Sequence, residues 1–287
     1  MTGVTVILSI QSSVAYGHVG NSAATFPLMR MGVEVWPVLT VHFSNHTGYG
    51  QWRGPLLSAA DVAEVIQGID ERGVLSRCDA VLSGYQGASD MGEVILSAVE
   101  LVKSRNPAAI YCCDPVMGDV GRGMFVRPGI PELMRDRVVP AAQVITPNAY
   151  ELEFLTGRST TTVDDVLAAA DVARALGPST VLVTSVVHDA AAPDTIDMVA
   201  VSDDGAWSVT TPLLPRSFQG AGDLTAATFL ANLLKSPAVD QALAQTAAVV
   251  HAVLTTTLDS GQAELQLVAA QDQIAHPTTT FEVTRLR

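Results

Sequence analysis

The chain has 287 residues, of which 16 are basic and 29 acidic; its net charge is −13 and 48% of it is hydrophobic. That is enough apolar material for one large domain over residues 1–287 with a substantial core. Lys103 and Lys235 are the only lysines and the arginines form no cluster, which argues against nucleic acid or an anionic membrane as partner.

The N-terminus lacks a basic segment ahead of its short apolar run, and no apolar stretch is long enough to span a bilayer, so a cytoplasmic location is expected. The three cysteines, Cys78, Cys112 and Cys113, lack metal-ligand spacing. They read as core packing in a reducing compartment.

Residues 4–10 (VTVILSI) are nearly continuously apolar and β-branched, the pattern of a strand covered on both faces of a parallel sheet. Further strands are predicted over 33–39, 80–82, 110–113, 144–146 and 181–184. A late antiparallel pair, 198–201 and 207–210, is predicted around the turn Asp203-Asp204-Gly205. Helices are predicted over 21–31, 59–71, 162–176, 223–235 and 238–258. Another follows Asp90, where Met91, Val94, Ile95, Ala98, Val99 and Val102 share one face and Asp90 with Glu93 has capping-box spacing. The residues from His276 onward read as a terminal strand or a loose tail. Strands alternating with helices predict an α/β three-layer sandwich with a mostly parallel central sheet.

In such folds the ligand lies beyond the carboxyl ends of the strands. The polar and glycine-bearing segments fall there: 11–20, 40–54, 84–87, 114–123 and 147–153. A P-loop motif and a dinucleotide fingerprint are both absent from the sequence. The run Gln219-Gly220-Ala221-Gly222-Asp223 instead places two glycines and a carboxylate where a loop turns into a helix. Gly220 and Gly222 let backbone amides approach an anion, the helix dipole adds to them, and Asp223 sits beside that pocket. A carboxylate beside an anion site suits a base that accepts a proton from an attacking hydroxyl, as in a kinase of small alcohols. The plainer alternative is an ordinary N-cap at Asp223 after a tight turn.

Several of these stretches resemble the pyridoxal kinases of the ribokinase-like superfamily. They are Ser9-Ile10-Gln11-Ser12, Tyr16-Gly17-His18-Val19-Gly20-Asn21, Phe43-Ser44-Asn45-His46-Thr47-Gly48, Gly84-Tyr85-Gln86-Gly87, Asp114-Pro115-Val116-Met117-Gly118-Asp119, Thr146-Pro147-Asn148 through Glu151, and Gly220-Ala221-Gly222-Asp223. Their order and spacing match across nearly the whole chain. The resemblance implies a ribokinase-like fold and ATP-dependent phosphorylation of the 5′-hydroxymethyl group of pyridoxal, pyridoxine or pyridoxamine, a transferase step of vitamin B6 salvage. It implies Asp223, Gly220 and Gly222 as the catalytic residues. Ser12, Val19, Val41, Phe43, Thr47 and Tyr85, with Asp223, would bind the vitamer, and His46 is a further contact to a substrate oxygen. Asp114, Thr146, Asn148, Glu151, Thr184, Ser185 and Gly222 would bind ATP, and Asp114 and Glu151 would hold magnesium directly or through water. Many such kinases also use a monovalent cation beside the anion hole, and a homodimer is the implied assembly. The loops 47–54 and 118–123 could close as lids.

The sequence departs from the family at Ala221, where Thr or Val is common, and at His42, where Gln is common. It also departs at Phe125, where some relatives have Tyr, and at Thr184, where some have Lys. The related hydroxymethylpyrimidine kinases of thiamin synthesis, and a non-catalytic pyridoxal phosphate carrier, remain the alternatives.

Overall fold

A computed structural model describes residues 3–189 and 191–287. The strands are β1 (Val6–Val14), β2 (Glu34–Phe43), β3 (Ala80–Ser83), β4 (Ile110–Cys113), β5 (Gly118–Asp119), β6 (Gly123–Met124), β7 (Val144–Ile145), β8 (Thr180–Val186), β9 (Thr195–Ser202), β10 (Gly205–Pro212) and β11 (Val283–Arg285). The helices are α1 (Asn21–Arg30), α2 (Ala59–Glu71), α3 (Met91–Arg105), α4 (Ile130–Leu133), α5 (Val139–Ala141), α6 (Ala149–Thr156), α7 (Val163–Ala175), α8 (Ala221–Lys235), α9 (Val239–Asp259) and α10 (Gln271–Ala275). All strands but β5 and β6 form one sheet in the order β11-β10-β9-β8-β7-β4-β3-β1-β2. From β2 to β8 every pairing is parallel, and β9, β10 and β11 add an antiparallel margin.

The continuous apolar runs follow from this two-sided burial. Successive side chains of a strand enter opposite layers. Leu8, Ile10, Val81, Tyr111, Cys113, Val181 and Val183 pack with α2, α3, α6 and α7. Ile7, Ala80, Leu82, Cys112 and Leu182 pack with α1, α8, α9 and α10. The result is the expected α/β/α sandwich.

Three expectations are corrected and one alternative is decided. β1 begins at Val6 and runs on to Val14, so residues 11–14, read as loop, are strand; β2 likewise runs on to Phe43. A bulge between Gln11 and Ser13 keeps the two in register. Buried Asn21 holds that bulge, its Nδ2 donating to the carbonyls of Ser9, Gln11 and Val38 at 3.1–3.3 Å. Second, Asp90 has helical backbone angles and makes no side-chain cap; Glu93 pairs instead with Arg137. Third, residues 149–153, read as loop, open helix α6 behind a capping box of Asn148 and Glu151. Finally, the C-terminal segment resolves in favour of a strand: β11 pairs with β10, Trp207 opposite Arg285.

Candidate active site

The carboxyl ends of β1, β2, β3, β4, β7 and β8 open onto a cavity of about 740 Å³. It is lined by Ser12, Val19, Val41, Phe43, Thr47 and Tyr85 and by Asp114, Thr146, Asn148, Glu151, Thr184 and Ser185, with Gly220, Gly222 and Asp223 closing it. The fold therefore brings together every site residue singled out in the sequence. The cavity's size suits a nucleotide with a small ring beside it.

Gly220 is the N-cap of α8 with φ of 84°, and a Cβ there would lie 1.9 Å from the His18 carbonyl oxygen. Only glycine fits this left-handed position and this approach. Asp223 is the third residue of the helix and makes no capping bond, which sets aside the N-cap alternative. The Ala221 amide donates to the Phe218 carbonyl at 3.3 Å, which leaves the amides of Gly220 and Gly222 as those open to an anion at the start of the helix. Burial pushes the Asp223 carboxyl up to about 6, opposed by the amides of Gly20 and of Asp223 itself. It is ionised at neutral pH yet basic enough to take a proton.

Asp114 lies at the end of β4 and is 5% exposed. Its Oδ1 accepts the Thr146 hydroxyl at 3.0 Å. Burial, and then the charge of Asp223, raise its pKa well above the usual carboxylate range. Among the described residues no basic side chain pairs with Asp114, Glu151 or Asp223. A divalent cation near Asp114 would relieve that repulsion, so this residue suits magnesium.

Glu151 suits it less well. Its Oε1 accepts the amides of Met117 and Gly118 at 2.9 and 3.4 Å, and its Oε2 accepts the Asn148 amide at 3.0 Å. Asn148 is also committed within the protein, accepting from the Glu151 amide and donating to the Gly118 carbonyl. This pair fastens the β5–β6 hairpin to the start of α6. Across the cavity, β8 shifts register between Val183 and Val186. Ser185, inside that bulge, is the one non-glycine residue with positive φ among those described, at 56°. Such strain is characteristic of functional positions.

On the opposite side, Ser12 is buried, and Val41 and Tyr85 flank the cavity with Phe43. Thr47 opens a single 3₁₀ turn, Thr47–Tyr49. His46 lines the cavity too, but its Nε2 lies 3.1 Å from Glu264 Oε1, so that nitrogen is engaged by the protein rather than free for a substrate oxygen. Glu264 is a residue that sequence reasoning missed. Two cations at the rim were also missed. Arg122, on the turn between β5 and β6, donates to Gln219 at 3.2 Å, and Arg216 stacks on Phe218.

Fold and cavity together are those of a small-molecule kinase: carboxylates and hydroxyls line one half, apolar side chains the other, and the glycine-bearing start of α8 lies between them. A family model described as phosphomethylpyrimidine kinase matches residues 66–267. The chain is 60% identical over 281 residues to the pyridoxal kinase PdxY of Rubrobacter xylanophilus, covering 98% of this chain and 97% of that one. It is 56% identical over 280 residues to the pyridoxal kinase PdxY of Leifsonia xyli, covering 98% and 99%. Among solved structures, pyridoxal kinase from Leishmania donovani in complex with ADP and pyridoxamine superposes with a TM-score of 0.92 at 28% identity, covering 99% of this chain and 100% of that one. The chain belongs to the pyridoxal kinase family.

Proposed function

We propose that the protein transfers the γ-phosphoryl group of ATP to the 5′-hydroxymethyl oxygen of pyridoxal, and also accepts pyridoxine and pyridoxamine. The observation that carries this reading is the seating of Asp223: a basic carboxylate at the first turn of α8, beside the Gly220–Gly222 amides, in the cavity that Ser12, Val41, Phe43 and Tyr85 also line. The ring would lie between Val19, Val41, Phe43 and Tyr85, with Ser12 and Thr47 bonding its polar edge. Asp223 would take the hydroxyl proton as the oxygen attacks phosphorus, and the amides of Gly220 and Gly222 would hold the charge on the transferred group. Thr146, Thr184 and Ser185 line the half assigned to the phosphates, while Asn148 and Glu151 shape the loop that covers them. When bound, magnesium supplies neutralising charge between the phosphates, and Asp114 is the residue that would hold it, directly or through water. We further assign a cytoplasmic working form, which the three buried unpaired thiols suit, and a homodimer on the family resemblance.

The test is ATP consumption over a panel of B6 vitamers and hydroxymethylpyrimidine, with and without magnesium. Pyridoxal should give the highest kcat/KM, and a preference for the pyrimidine would replace this reading. Asp223→Ala should bind both substrates but lose on the order of a hundredfold or more in kcat.

A further inference from the structure

Glu264 lies outside the cavity lining, on the segment after α9, and is 7% exposed. It binds three groups from two distant loops. Its Oε1 accepts from the Tyr49 hydroxyl at 2.7 Å and lies 3.1 Å from His46 Nε2; its Oε2 accepts the His18 amide at 3.1 Å. The fit leaves no slack: a Cβ at Gly17, whose φ is +89°, would lie 2.1 Å from Glu264 Oε2.

The His18 residue that donates to Glu264 through its amide presents its carbonyl to Gly220, and Leu265 Cδ1 lies 3.2 Å from the Cβ position of the same glycine. The segment carrying Glu264 is itself fastened. Arg216, just ahead of the anion loop, donates to the carbonyls of Thr257 and Gln262, and the Gln266 amide donates to Thr257 Oγ1 at 2.9 Å. One buried carboxylate therefore ties the loop after β1, which carries Val19, to the 3₁₀ turn after β2, which carries Thr47. Its neighbour Leu265 rests on the anion loop.

We propose that Glu264 is a positioning residue for the phosphoryl acceptor: it holds the vitamer-binding turn Thr47–Tyr49 closed against the β1 loop and in register with Gly220. The inference rests on the assignment of Val19 and Thr47 to the vitamer side. A carboxylate suits this task because each oxygen accepts more than one bond and charge-assisted bonds are the stronger kind. The nucleotide half, built on α6, β7 and β8, makes none of these contacts. The effect of losing Glu264 should therefore fall on one substrate.

The experiment measures both KM values and acceptor-independent ATP hydrolysis for the wild type, Glu264→Ala, Glu264→Gln and Tyr49→Phe. Glu264→Ala should raise KM for pyridoxal about tenfold or more, leave KM for ATP within about twofold, and raise ATP hydrolysis in the absence of acceptor as water enters. Glu264→Gln keeps one oxygen for Tyr49 and His46 but cannot accept the His18 amide, so it should fall between Glu264→Ala and the wild type. Tyr49→Phe removes a single bond at a half-exposed position and should raise KM for pyridoxal about threefold. An unchanged pyridoxal KM in Tyr49→Phe and Glu264→Gln would overturn the proposal, as would an equal rise in both KM values. Hydrogen exchange of residues 15–20 and 45–51 in Glu264→Ala gives a reading independent of any substrate. Faster exchange supports the tie and wild-type exchange refutes it. A wild type inactive towards pyridoxal would sink the functional reading and leave the tie to be decided by exchange.

Discussion

Asp223 carries opposite consequences for turnover and for stability. Its carboxyl titrates near 3.8 when unperturbed and about 6 in the fold, so the folded state binds this proton more tightly than the unfolded chain does. Turnover should fall as pH drops through about 6 and the base is protonated, readable as the acid limb of kcat against pH. Stability runs the other way: the ionised form is penalised above that pH, and the penalty disappears as pH falls through 6 towards 3.8. Asp223→Asn should therefore be inactive yet raise Tm at neutral pH, with a gain on the order of 1 kcal/mol, because the open cavity hydrates the group in part. That gain should vanish at about pH 4. A Tm of Asp223→Asn equal to the wild type at neutral pH would contradict this account. Gly220 is constrained by shape instead. With a Cβ at 1.9 Å from the His18 oxygen and φ of +84°, Gly220→Ala must move the anion loop, and phosphate affinity should drop even if the protein folds. Isothermal titration with a nucleotide measures that loss.

The β5–β6 hairpin shows what an element owes to its neighbours. Two residues per strand cannot hold a hairpin in water. Glu151 and Asn148, both at the start of α6, bind it through Met117 and Gly118, and Arg122 ties its tip to Gln219. Glu151→Ala should thus free the hairpin, raise KM for ATP more than KM for pyridoxal, and expose the segment around Gly121 to limited proteolysis. Resistance equal to the wild type would show that the hairpin is held otherwise.

The same pair marks how far local sequence patterns reach. The apolar periodicities of α2, α7, α8 and α9 place those helices within two residues, because burial of one face dictates them. Asn148-x-x-Glu151 has the spacing of a capping box, yet its place after a strand reads equally as a ligand loop, and only the folded contacts decide. Asp90-x-x-Glu93 has the same spacing, and there Asp90 makes no cap. The cavity residues were legible through the family resemblance, most of it carried by loops that follow strands. Glu264 was not, since its partners lie 215 to 246 residues away in the chain and its own surroundings show no periodic or motif signal.

Across the molecule, the net charge of −13 and the acidic half-cavity oppose an anionic nucleotide. Screening should ease that opposition, so the association rate for nucleotide should rise with ionic strength at constant free magnesium, the reverse of a steered site. Stopped-flow binding at low and physiological salt checks the sign. The core under α1, α8, α9 and α10 should weigh heavily in global stability: Phe229, fully buried on α8, should cost about 3–5 kcal/mol when truncated to Ala, and thermal unfolding reads this directly.

Cys78, Cys112 and Cys113 are all buried, and desolvation raises Cys78 to about 11 and Cys113 to about 12. Reactive thiolate is therefore scarce until the sheet itself comes apart. A brief pulse of an alkylating reagent would mark only chains whose centre has opened, giving a built-in clock for rare excursions from the native state that needs no label and no altered residue.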